Sequence, residues 1–466
     1  MLASNTGDIH DVIIIGAGIS GLSAAKHLKE SNFENILILE AKDRIGGRIY
    51  TKRSSKVNWV DLGASYIGPN QVNILRIAKQ FEIKTYKVFS DGLSIDYVEG
   101  KRTVYTSNGL GYDSEILNTD LKNFLQLLDD MGKEVPLEAP WLCAKAKEWD
   151  EMTYKEFIEK TCRVRSVKEK AYSISTDLFS ADAYELSLLF VLWYIKMGGG
   201  TYSLFSNENG AQERKIDGGA MQICEKIVEY LGVQKVMLNK AVYSIKSENN
   251  YELIKTLDGC EFKSRNVILA IPPCVQAKIH FSPALPALRN QMLQRFPMGC
   301  VMKCILYYNK PFWRENGFCG VSTIPSLEFS ATQGTYDDSK PNGEYPSLMG
   351  FVFAKKNREL YQLDVSDRKE RLCQSLARIF ECKEALTPIH YEEYNWAEDQ
   401  YCGGGYSGLC PPGFLTRYGA TIREPVGRIH FAGTETAKIW YGYMDGAIEA
   451  GERAALEVIS CLNNSN

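Results

Sequence analysis

Three glycines and one carboxylate near the N-terminus have the types and the spacing that could bind a dinucleotide. Gly16, Gly18 and Gly21 form a GxGxxG turn directly after four apolar residues, 12–15. The first glycine permits a tight turn, the second lets the backbone approach a pyrophosphate, and the third lets a helix pack closely on a strand. The helix that follows would offer free N–H groups and a positive dipole end to the phosphates. Such a turn can also be purely structural, so its surroundings have to decide.

A second apolar run, 35–39, ends in Glu40, about 20 residues after the last glycine. At this position a carboxylate accepts hydrogen bonds from the ribose hydroxyls of an adenine dinucleotide and repels a 2′-phosphate. An exposed glutamate at a strand end is the alternative interpretation. The complete strand–turn–helix–strand unit favours dinucleotide binding and argues against NADP.

The segment 43–48 (Asp-Arg-Ile-Gly-Gly-Arg) could bring a second backbone segment and the guanidinium of Arg48 to the pyrophosphate. It resembles the DRxGGR segment of the flavin-dependent amine oxidase family, in which the arginine contacts the pyrophosphate. Residues 61–69 resemble the next element of that family, a glycine-rich turn that runs under the flavin. The resemblance implies that the dinucleotide is FAD.

Another candidate segment lies close to the C-terminus. A short strand at 428–432 enters a turn at Gly433 and Thr434, and a helix rich in small residues begins at Met444. We expect the N-terminus of this helix to face the pyrimidine edge of the flavin, where negative charge accumulates in the reduced form. Small residues could also serve helix packing alone, but their combination with the N-terminal unit favours a flavin site.

This C-terminal region is very similar to the monoamine oxidases in particular. Further matching segments occur in the expected order at 130–136, 210–215, 270–273, 298–304, 307–313, 396–407 and 411–413. Only the membrane anchor of the membrane-bound members has no counterpart. The resemblance implies FAD-dependent oxidative deamination of primary or secondary arylalkyl amines, with O2 as electron acceptor and hydrogen peroxide as a product.

Four side chains match residues that handle the substrate in that family. Tyr406 and Tyr443 match the two tyrosines of an aromatic cage in front of the flavin, whose apolar slot would disfavour the ammonium form of an amine. Lys303 matches a lysine that hydrogen-bonds a water near flavin N5, although it could be an ordinary lysine with a buried stem. Gln212 matches a glutamine of the substrate slot or could cap a loop. We predict Lys303, Tyr406 and Tyr443 as catalytic residues.

Two departures from the family pattern affect the cofactor and the substrate. Gly405 occupies the position of the cysteine that links the flavin in mammalian-type members, and Cys402 lies three residues earlier. We therefore expect non-covalent FAD, with a displaced linkage through Cys402 as the alternative. Near Gly334 the gating aromatic of the family is missing, while Phe205 stands where the opposite gate is usually aliphatic. Phe205 joins Gln212 and the two tyrosines as predicted substrate-binding residues, and the preferred amine stays open.

We predict an α/β fold in which a Rossmann-type FAD-binding domain, like those of amine oxidases and p-hydroxybenzoate hydroxylase, is interleaved with an α+β substrate domain. The FAD-binding pieces are 8–86, 216–294 and 397–461, the substrate domain comprises 87–215 and 295–396, and 462–466 form a disordered tail. The predicted FAD-binding residues are Gly16, Gly18, Ser20, Gly21, Glu40, Lys42, Gly47, Arg48, Gly63, Ala64, Ser65, Tyr66, Val242, Trp396, Gly433, Thr434, Gly442, Tyr443 and Met444.

Composition excludes several other classes of protein. A net charge of −3 and a pI near 6.1 give no reason to expect nucleic acid. The 13 cysteines include no CxxC pair and the five histidines are scattered, so we expect reduced thiols and no metal. The longest apolar run, 188–195, is too short to span a bilayer and predicts a buried helix.

The expected partners are a small-molecule amine and O2, and the sequence allows a homodimer. The expected location is the cytoplasm, or the mitochondrial outer membrane if a native C-terminal anchor is missing from this sequence. Three alternative functions stay open. A polyamine oxidase would need carboxylates along its tunnel, an L-amino-acid oxidase would need an arginine facing the substrate carboxylate, and a catalytically silent flavin-binding protein would need neither.

Overall fold

The computed structural model describes residues 9–106, 115–324 and 330–464. Its strands are β1 (Ile9–Ile15), β2 (Ile36–Leu39), β3 (Thr51–Ser54), β4 (Asn58–Asp61), β5 (Thr85–Lys87), β6 (Leu93–Val98), β7 (Lys101–Thr106), β8 (Arg214–Ile216), β9 (Val236–Met237), β10 (Val242–Ser247), β11 (Glu252–Thr256), β12 (Glu261–Leu269), β13 (His280–Ser282), β14 (Val301–Tyr307), β15 (Phe318–Thr323), β16 (Gly334–Asp337), β17 (Ser347–Phe353), β18 (His390–Asn395) and β19 (Ile429–Phe431). Its α-helices are α1 (Ile19–Glu30), α2 (Val72–Gln80), α3 (Glu115–Lys133), α4 (Ala146–Glu151), α5 (Tyr154–Thr161), α6 (Arg165–Phe179), α7 (Leu188–Met197), α8 (Thr201–Phe205), α9 (Met221–Leu231), α10 (Pro273–Gln276), α11 (Ala287–Leu293), α12 (Phe312–Glu315), α13 (Ala354–Leu360), α14 (Val365–Phe380), α15 (Phe414–Tyr418) and α16 (Met444–Asn464).

The two apolar runs near the N-terminus form the centre of a large sheet. Its strand order is β13-β10-β11-β12-β1-β2-β9, with β19 also paired to β12. Strand β1 pairs in parallel with both β2 and β12, so that Val12 lies between Ile36 and Asn266. All four residues of β2 are buried, as expected for a parallel strand that is covered on both faces.

A second sheet is mainly antiparallel and has the order β18-β14-β17-β16-β15-β6-β7. In its middle, β14 is buried along its whole length and pairs with both β17 and β18. The predicted buried helix at 188–195 is α7, which extends to Met197 and has only Lys196 less than fully buried. It packs in an apolar cluster with parts of α3 and α6. These helices and the second sheet carry most of the side chains that face the substrate side of the cavity described below.

The first and last long helices pack against each other beside the large sheet. A Cβ added to Gly451 of α16 would lie 2.1 Å from the carbonyl oxygen of Ser20 in α1. The glycine therefore allows two backbones to approach closely, and it fixes the N-terminus of α16 near the end of β1. The helix predicted after the glycine turn is α1, which begins at Ile19 with Gly18 as its N-cap.

The α/β fold predicted from the sequence is confirmed, since both sheets are covered by helices and closely related folds are described below. Every strand of the large sheet falls within 8–86, 216–294 or 397–461. The division into two interleaved domains stays a prediction. Residues 462–464 of the predicted tail belong to α16, where Leu462 is buried, and 465–466 lie outside the described residues. Over the described ranges, every helix is too short or too polar to cross a membrane.

Candidate active site

The cavity that holds the candidate site begins where parallel strands of the large sheet end. Gly16 follows β1, Glu40 follows β2, Ala270 follows β12, and Gly433 comes just after β19. Because these strands run in parallel, their carboxyl ends meet at one edge, the usual place for a dinucleotide. A cavity of ≈ 430 Å³ opens there and extends to Tyr336 of the second sheet and to Tyr406 and Tyr443.

Glycines form the wall of this cavity next to the first turn of α1. Gly16 has a φ of +105°, and a Cβ on it would lie 2.8 Å from the carbonyl oxygen of Ala270. A Cβ on Gly47 would lie 3.2 Å from the Cα of Gly18. Gly18 caps α1 without a side chain, so the first N–H groups of the helix receive no side-chain cap. A pyrophosphate fits this cradle because it supplies acceptor oxygens where no Cβ intrudes.

Gly21 does not line the cavity. A Cβ added to it would lie 2.1 Å from the carbonyl oxygen of Gly16. Its position in the structure therefore matches the packing function that the third glycine of such a turn serves.

Glu40 is held rigidly at the end of β2. Its two carboxylate oxygens accept hydrogen bonds from the backbone N–H groups of Ala17 (2.7 Å) and Lys42 (2.9 Å). Burial raises the pKa of Glu40. Each oxygen keeps one lone pair free for a ribose hydroxyl. The Lys42 ammonium is turned to Asp399, with which it forms an ion pair.

Arg48 is bound mainly to the protein itself. Its guanidinium donates to both oxygens of Glu435 at 2.6 and 3.0 Å and to the carbonyl oxygen of Tyr406 at 2.8 Å. The arginine thus links the N-terminal segment to the loop that carries one tyrosine of the predicted cage. It still lines the cavity, where its positive charge would favour a pyrophosphate.

The predicted cofactor residues other than Gly21 all line this one cavity, although they come from segments up to about 430 residues apart. Several also fix one another. The Ser20 hydroxyl accepts from the Gly433 N–H at 2.8 Å, the Thr434 hydroxyl accepts from the Gly442 N–H at 2.7 Å, and the Trp396 indole donates to the Leu62 carbonyl at 3.0 Å. The chemistry of this set, with its glycine cradle, buried carboxylate and helix N-termini, fits FAD.

Tyr406 and Tyr443 face the same cavity from different elements. Tyr406 packs edge-on against Phe351 and Phe353 of β17, each with ring centroids 6.0 Å away. Tyr443 packs against Tyr194 at 6.3 Å and Trp440 at 5.1 Å. Burial raises the pKa of both phenols, so both stay neutral donors at physiological pH. The surrounding rings fix two aromatic walls in an apolar slot.

Lys303 reaches the cavity from β14. Its ammonium donates to the carbonyl oxygen of Gly63 and to the hydroxyl of Ser65, both at 3.1 Å. Burial, and then the nearby ammonium of Lys215, lower the pKa of Lys303 to about 8. The structure therefore holds a donor at a fixed place beside the glycine-rich turn that the sequence predicts to run under the flavin.

The predicted substrate-binding residues divide into two groups. Gln212 lines the cavity, and its Oε1 atom has no hydrogen-bond partner among the described residues. Phe205 does not line the cavity. It is the last residue of the short helix α8, and its side chain is 36% exposed. Gly334 does line it, and so does Tyr336, which lies on the same face of β16 two residues later. Tyr336 thus supplies an aromatic wall close to Gly334, where the sequence indicated that the aromatic residue of the family is missing.

The sequence did not predict three of the charged residues on the cavity wall, Asp177, Lys240 and Lys278. Asp177 is the one that lies beside the predicted tyrosine slot. Asp177, in the last turn of α6, lines the cavity together with Tyr336 and Tyr406. Its own segment carries no recognisable motif. The packing of α6 beside the second sheet brings Asp177 to the site. Its position in a helix does not by itself predict this contact.

Cys402 and Gly405 also lie on the cavity wall. Cys402 is 3% exposed, and burial raises the pKa of its thiol to about 12. Gly405 contacts the wall of the slot closely, since an added Cβ would lie 3.2 Å from Val301 and 3.5 Å from Trp396.

Comparison with known proteins gives the same result as the site geometry. Residues 19–459 match the sequence profile of a family described as flavin containing amine oxidoreductase. The chain is 46% identical over 457 residues to a flavin-containing amine oxidase of Danio rerio, covering 98% of this chain and 87% of that protein. It is 46% identical over 452 residues to flavin-containing amine oxidase B of Homo sapiens, covering 97% and 86%.

Solved structures with closely similar folds include two oxidases. The cyclohexylamine oxidase from Brevibacterium oxydans has a TM-score of 0.93 and 29% sequence identity, covering 98% of this chain and all of the other (100%). A wild-type putrescine oxidase bound to putrescine has a TM-score of 0.91 and 28% identity, covering 97% and 99%.

This chain belongs to the flavin containing amine oxidoreductase family. Its cofactor is FAD and its activity is FAD-dependent amine oxidation, with an amine and O2 as substrates. The resemblance drawn from the sequence motifs is confirmed. The contribution of each individual site residue stays a prediction.

Proposed function

We propose that this chain oxidises primary or secondary arylalkyl monoamines to imines, which hydrolyse to aldehydes, with release of hydrogen peroxide. The observation that carries the proposal is the buried cavity that Tyr406, Tyr443 and Lys303 share with the dinucleotide cradle. The relatives named above as flavin-containing amine oxidases support an amine as the substrate.

The two tyrosines act on the protonation state and the orientation of the amine. An ammonium loses hydration in a slot walled by aromatic rings, so the slot favours the neutral amine. Only the neutral form has the lone pair that assists loss of hydride from the α-carbon. Their walls also exclude water, which would otherwise screen the electrostatic interactions in the slot.

The glycine cradle, Glu40 and the first turns of α1 and α16 would hold FAD, and Lys303 would donate a hydrogen bond close to its reactive face. When bound, FAD accepts the hydride equivalent of the amine and passes the electrons to O2. The protein positions both reactants and supplies no general base in this scheme.

We also propose that FAD binds without a covalent bond. Support comes from Gly405, which has no side chain to form a thioether, and from Cys402, whose thiol is buried with a pKa raised to about 12. Such a thiol is a poor source of the thiolate that attacks. Acid precipitation of the purified flavoprotein tests this: flavin in the supernatant agrees with the proposal, and a yellow pellet contradicts it.

Peroxide release with tyramine, serotonin, benzylamine, spermine and an L-amino acid tests the function. Turnover of the arylalkyl amines supports the proposal, whereas turnover of spermine alone would identify a polyamine oxidase. Activity on L-amino acids is not expected, because the arginine of the described cavity wall is Arg48 and its guanidinium is paired with Glu435. No turnover by protein that retains FAD would show a silent flavin-binding protein.

The homodimer stays a prediction, and light scattering of the purified flavoprotein would measure the oligomeric state. The cytoplasmic location, with the mitochondrial outer membrane as its alternative, also stays a prediction.

A further inference from the structure

The carboxylate of Asp177 lies in an environment that is unfavourable for a negative charge. It is in the last turn of α6, where the helix dipole places partial negative charge. Its neighbours on the cavity wall include the aromatic residues Tyr336 and Tyr406. Burial raises the pKa of both phenols, and the charge of Asp177 adds to the rise. A carboxylate in such a place loses hydration, and this loss is unfavourable unless an ion pair or a hydrogen bond compensates for it.

The cation whose charge acts on Asp177 is already paired with another carboxylate. Lys170, two turns earlier on the same helix, forms an ion pair with Asp96 of β6. Among the described residues, no side chain donates a hydrogen bond to Asp177 or forms an ion pair with it. An apolar residue at this position would make the folded protein more stable than a buried carboxylate does. The carboxylate is therefore explained better by binding of a ligand than by stability.

A cationic ligand group at Asp177 must differ from the nitrogen that reacts. The slot between Tyr406 and Tyr443 favours a neutral amine, for the reason given above. An ammonium that reaches Asp177 is therefore a second group of the same substrate, which would restore an ion pair in a cavity of low polarity.

We propose that Asp177 is a specificity-determining residue that binds a second cationic group of the substrate, so that the enzyme takes short diamines as well as monoamines. This inference rests on the proposed amine oxidase function and extends it. It assigns no role in the chemical step to Asp177, because a neutral amine in the slot needs no base to lose hydride.

Matched pairs of substrates separate this interaction from every other effect on turnover. Cadaverine and n-pentylamine, or putrescine and n-butylamine, differ only by the distal ammonium. We expect kcat/KM of the wild-type holoenzyme, measured by peroxide release, to be about 10- to 100-fold higher for each diamine, as a charged hydrogen bond provides. Asp177→Asn and Asp177→Leu should lower kcat/KM for the diamines far more than for the matched monoamines, so that most of this preference is lost.

Glu169→Gln is the matched control, because Glu169 lies on the same helix and pairs with Arg165 outside the cavity. It should leave the preference for diamines unchanged. Two substitutions of Asp177 are used, so that misfolding of one variant does not decide the result. Each variant is assayed only if it binds FAD at the wild-type ratio.

Each outcome has one meaning. Equal losses for the diamine and its monoamine in the Asp177 variants would overturn the proposal, and so would a wild-type enzyme without any preference for the diamine. If the wild-type flavoprotein oxidises none of these amines and none of the arylalkyl amines, the proposed function itself fails. Loss of the diamine preference alone supports the inference.

Discussion

Asp177 and Lys303 are two ionisable side chains in one cavity, and burial moves both toward their neutral forms. Burial raises the pKa of Asp177 to about 7, with Lys170 opposing and Asp96 reinforcing the rise. Burial and Lys215 lower the pKa of Lys303 to about 8. Both groups therefore change their charge near neutral pH, which an exposed aspartate or lysine would not do.

The first prediction concerns the pH dependence of the diamine preference. Because the pKa of Asp177 is raised to about 7, the carboxylate is protonated below that pH and charged above it. The ratio of kcat/KM for cadaverine to that for n-pentylamine should therefore rise as pH increases through about 7. Taking the ratio removes the deprotonation of the reacting amine, which both substrates share.

Lys303 of the same cavity has a pKa lowered to about 8, so it loses its charge at a higher pH than Asp177, and the slope around pH 7 is the one assigned to Asp177. The other groups near Asp177 do not titrate there. Lys170 and Asp96 are paired with each other, and the pKa values of Tyr336 and Tyr406 are raised above their usual values. The ratio should be flat with pH in Asp177→Asn. A slope that persists in this variant would assign the titration to another group.

The second prediction concerns Lys303. Lys303→Met removes a buried donor beside the predicted flavin site, and we expect the reaction with O2 to slow on the order of 100-fold. FAD affinity should change far less, since the residues of the cradle are untouched. Stopped-flow mixing of anaerobically reduced enzyme with O2 measures the first quantity, and fluorescence titration of apoprotein measures the second.

Lys340→Met is the matched control for that measurement. Lys340 is also buried, with a pKa lowered to about 8, but it lies over the ring of Trp59 and not on the cavity wall. Normal kinetics with O2 in Lys303→Met, or an equal defect in both variants, would remove Lys303 from the proposed role.

At the scale of elements, the close approach of α1 and α16 positions both helix N-termini at the cofactor cradle. Gly451 is the point of closest approach, because its added Cβ would meet the carbonyl oxygen of Ser20 at 2.1 Å. Backbone cannot give way as a flexible side chain can. The geometry of the cradle thus depends on a glycine that does not line it.

The third prediction follows from this contact. Gly451→Ala should destabilise the protein by about 1–3 kcal/mol through overpacking, even though alanine favours helix formation. It should also weaken FAD binding, because α16 is displaced from the cradle. Denaturant unfolding and FAD titration measure the two effects.

Leu456→Ala is the control on the same helix, since Leu456 is 54% exposed. It should change stability by less than about 0.5 kcal/mol. Wild-type stability and FAD affinity in Gly451→Ala would show that the two helices can separate without cost.

At the scale of the whole molecule, a buried ion pair connects two parts of the structure. Lys215 of β8 pairs with Asp338, which follows β16 of the second sheet, and both side chains are at most 2% exposed. Burial by itself raises the pKa of Asp338, but the ammonium groups of Lys215 and Lys340 outweigh it and lower the value overall. The stability that Asp338 contributes is therefore complete above the unfolded pKa and is lost as pH falls through the lowered one.

The fourth prediction is that Asp338→Asn lowers the free energy of unfolding by about 3–5 kcal/mol, because it leaves the Lys215 ammonium buried without its partner. Lys215→Met combined with Asp338→Leu should recover part of that loss, since no unpaired charge then remains between these two positions. Urea unfolding of the holoenzyme measures both.

Asp130→Asn provides the comparison at the surface. Asp130 pairs with Lys133 where both side chains are more than half exposed, so its loss should change the free energy of unfolding far less than the loss of Asp338 does. A similar small loss in Asp338→Asn would show that water reaches the inner pair.

The family, the cofactor and the α/β fold could be predicted from the amino-acid sequence, because each depends on local chemistry. A glycine turn has to follow a strand for the backbone to approach a phosphate, and Glu40 has to end the next strand. Such constraints act over a few residues and remain legible in the chain. The first residue of α1 is not marked in the sequence, since Gly18 caps the helix without a side chain.

The residues around the predicted substrate slot could not be predicted in this way, because they come together through packing. Asp177 and Tyr336 come from α6 and β16, elements without a motif, and they meet the cavity because those elements pack beside it. Phe205 was matched by position, yet it is the last residue of α8, is 36% exposed and does not line the cavity. Side chains brought together by packing leave no spacing signal in the sequence, because the contacts form between segments far apart in the chain.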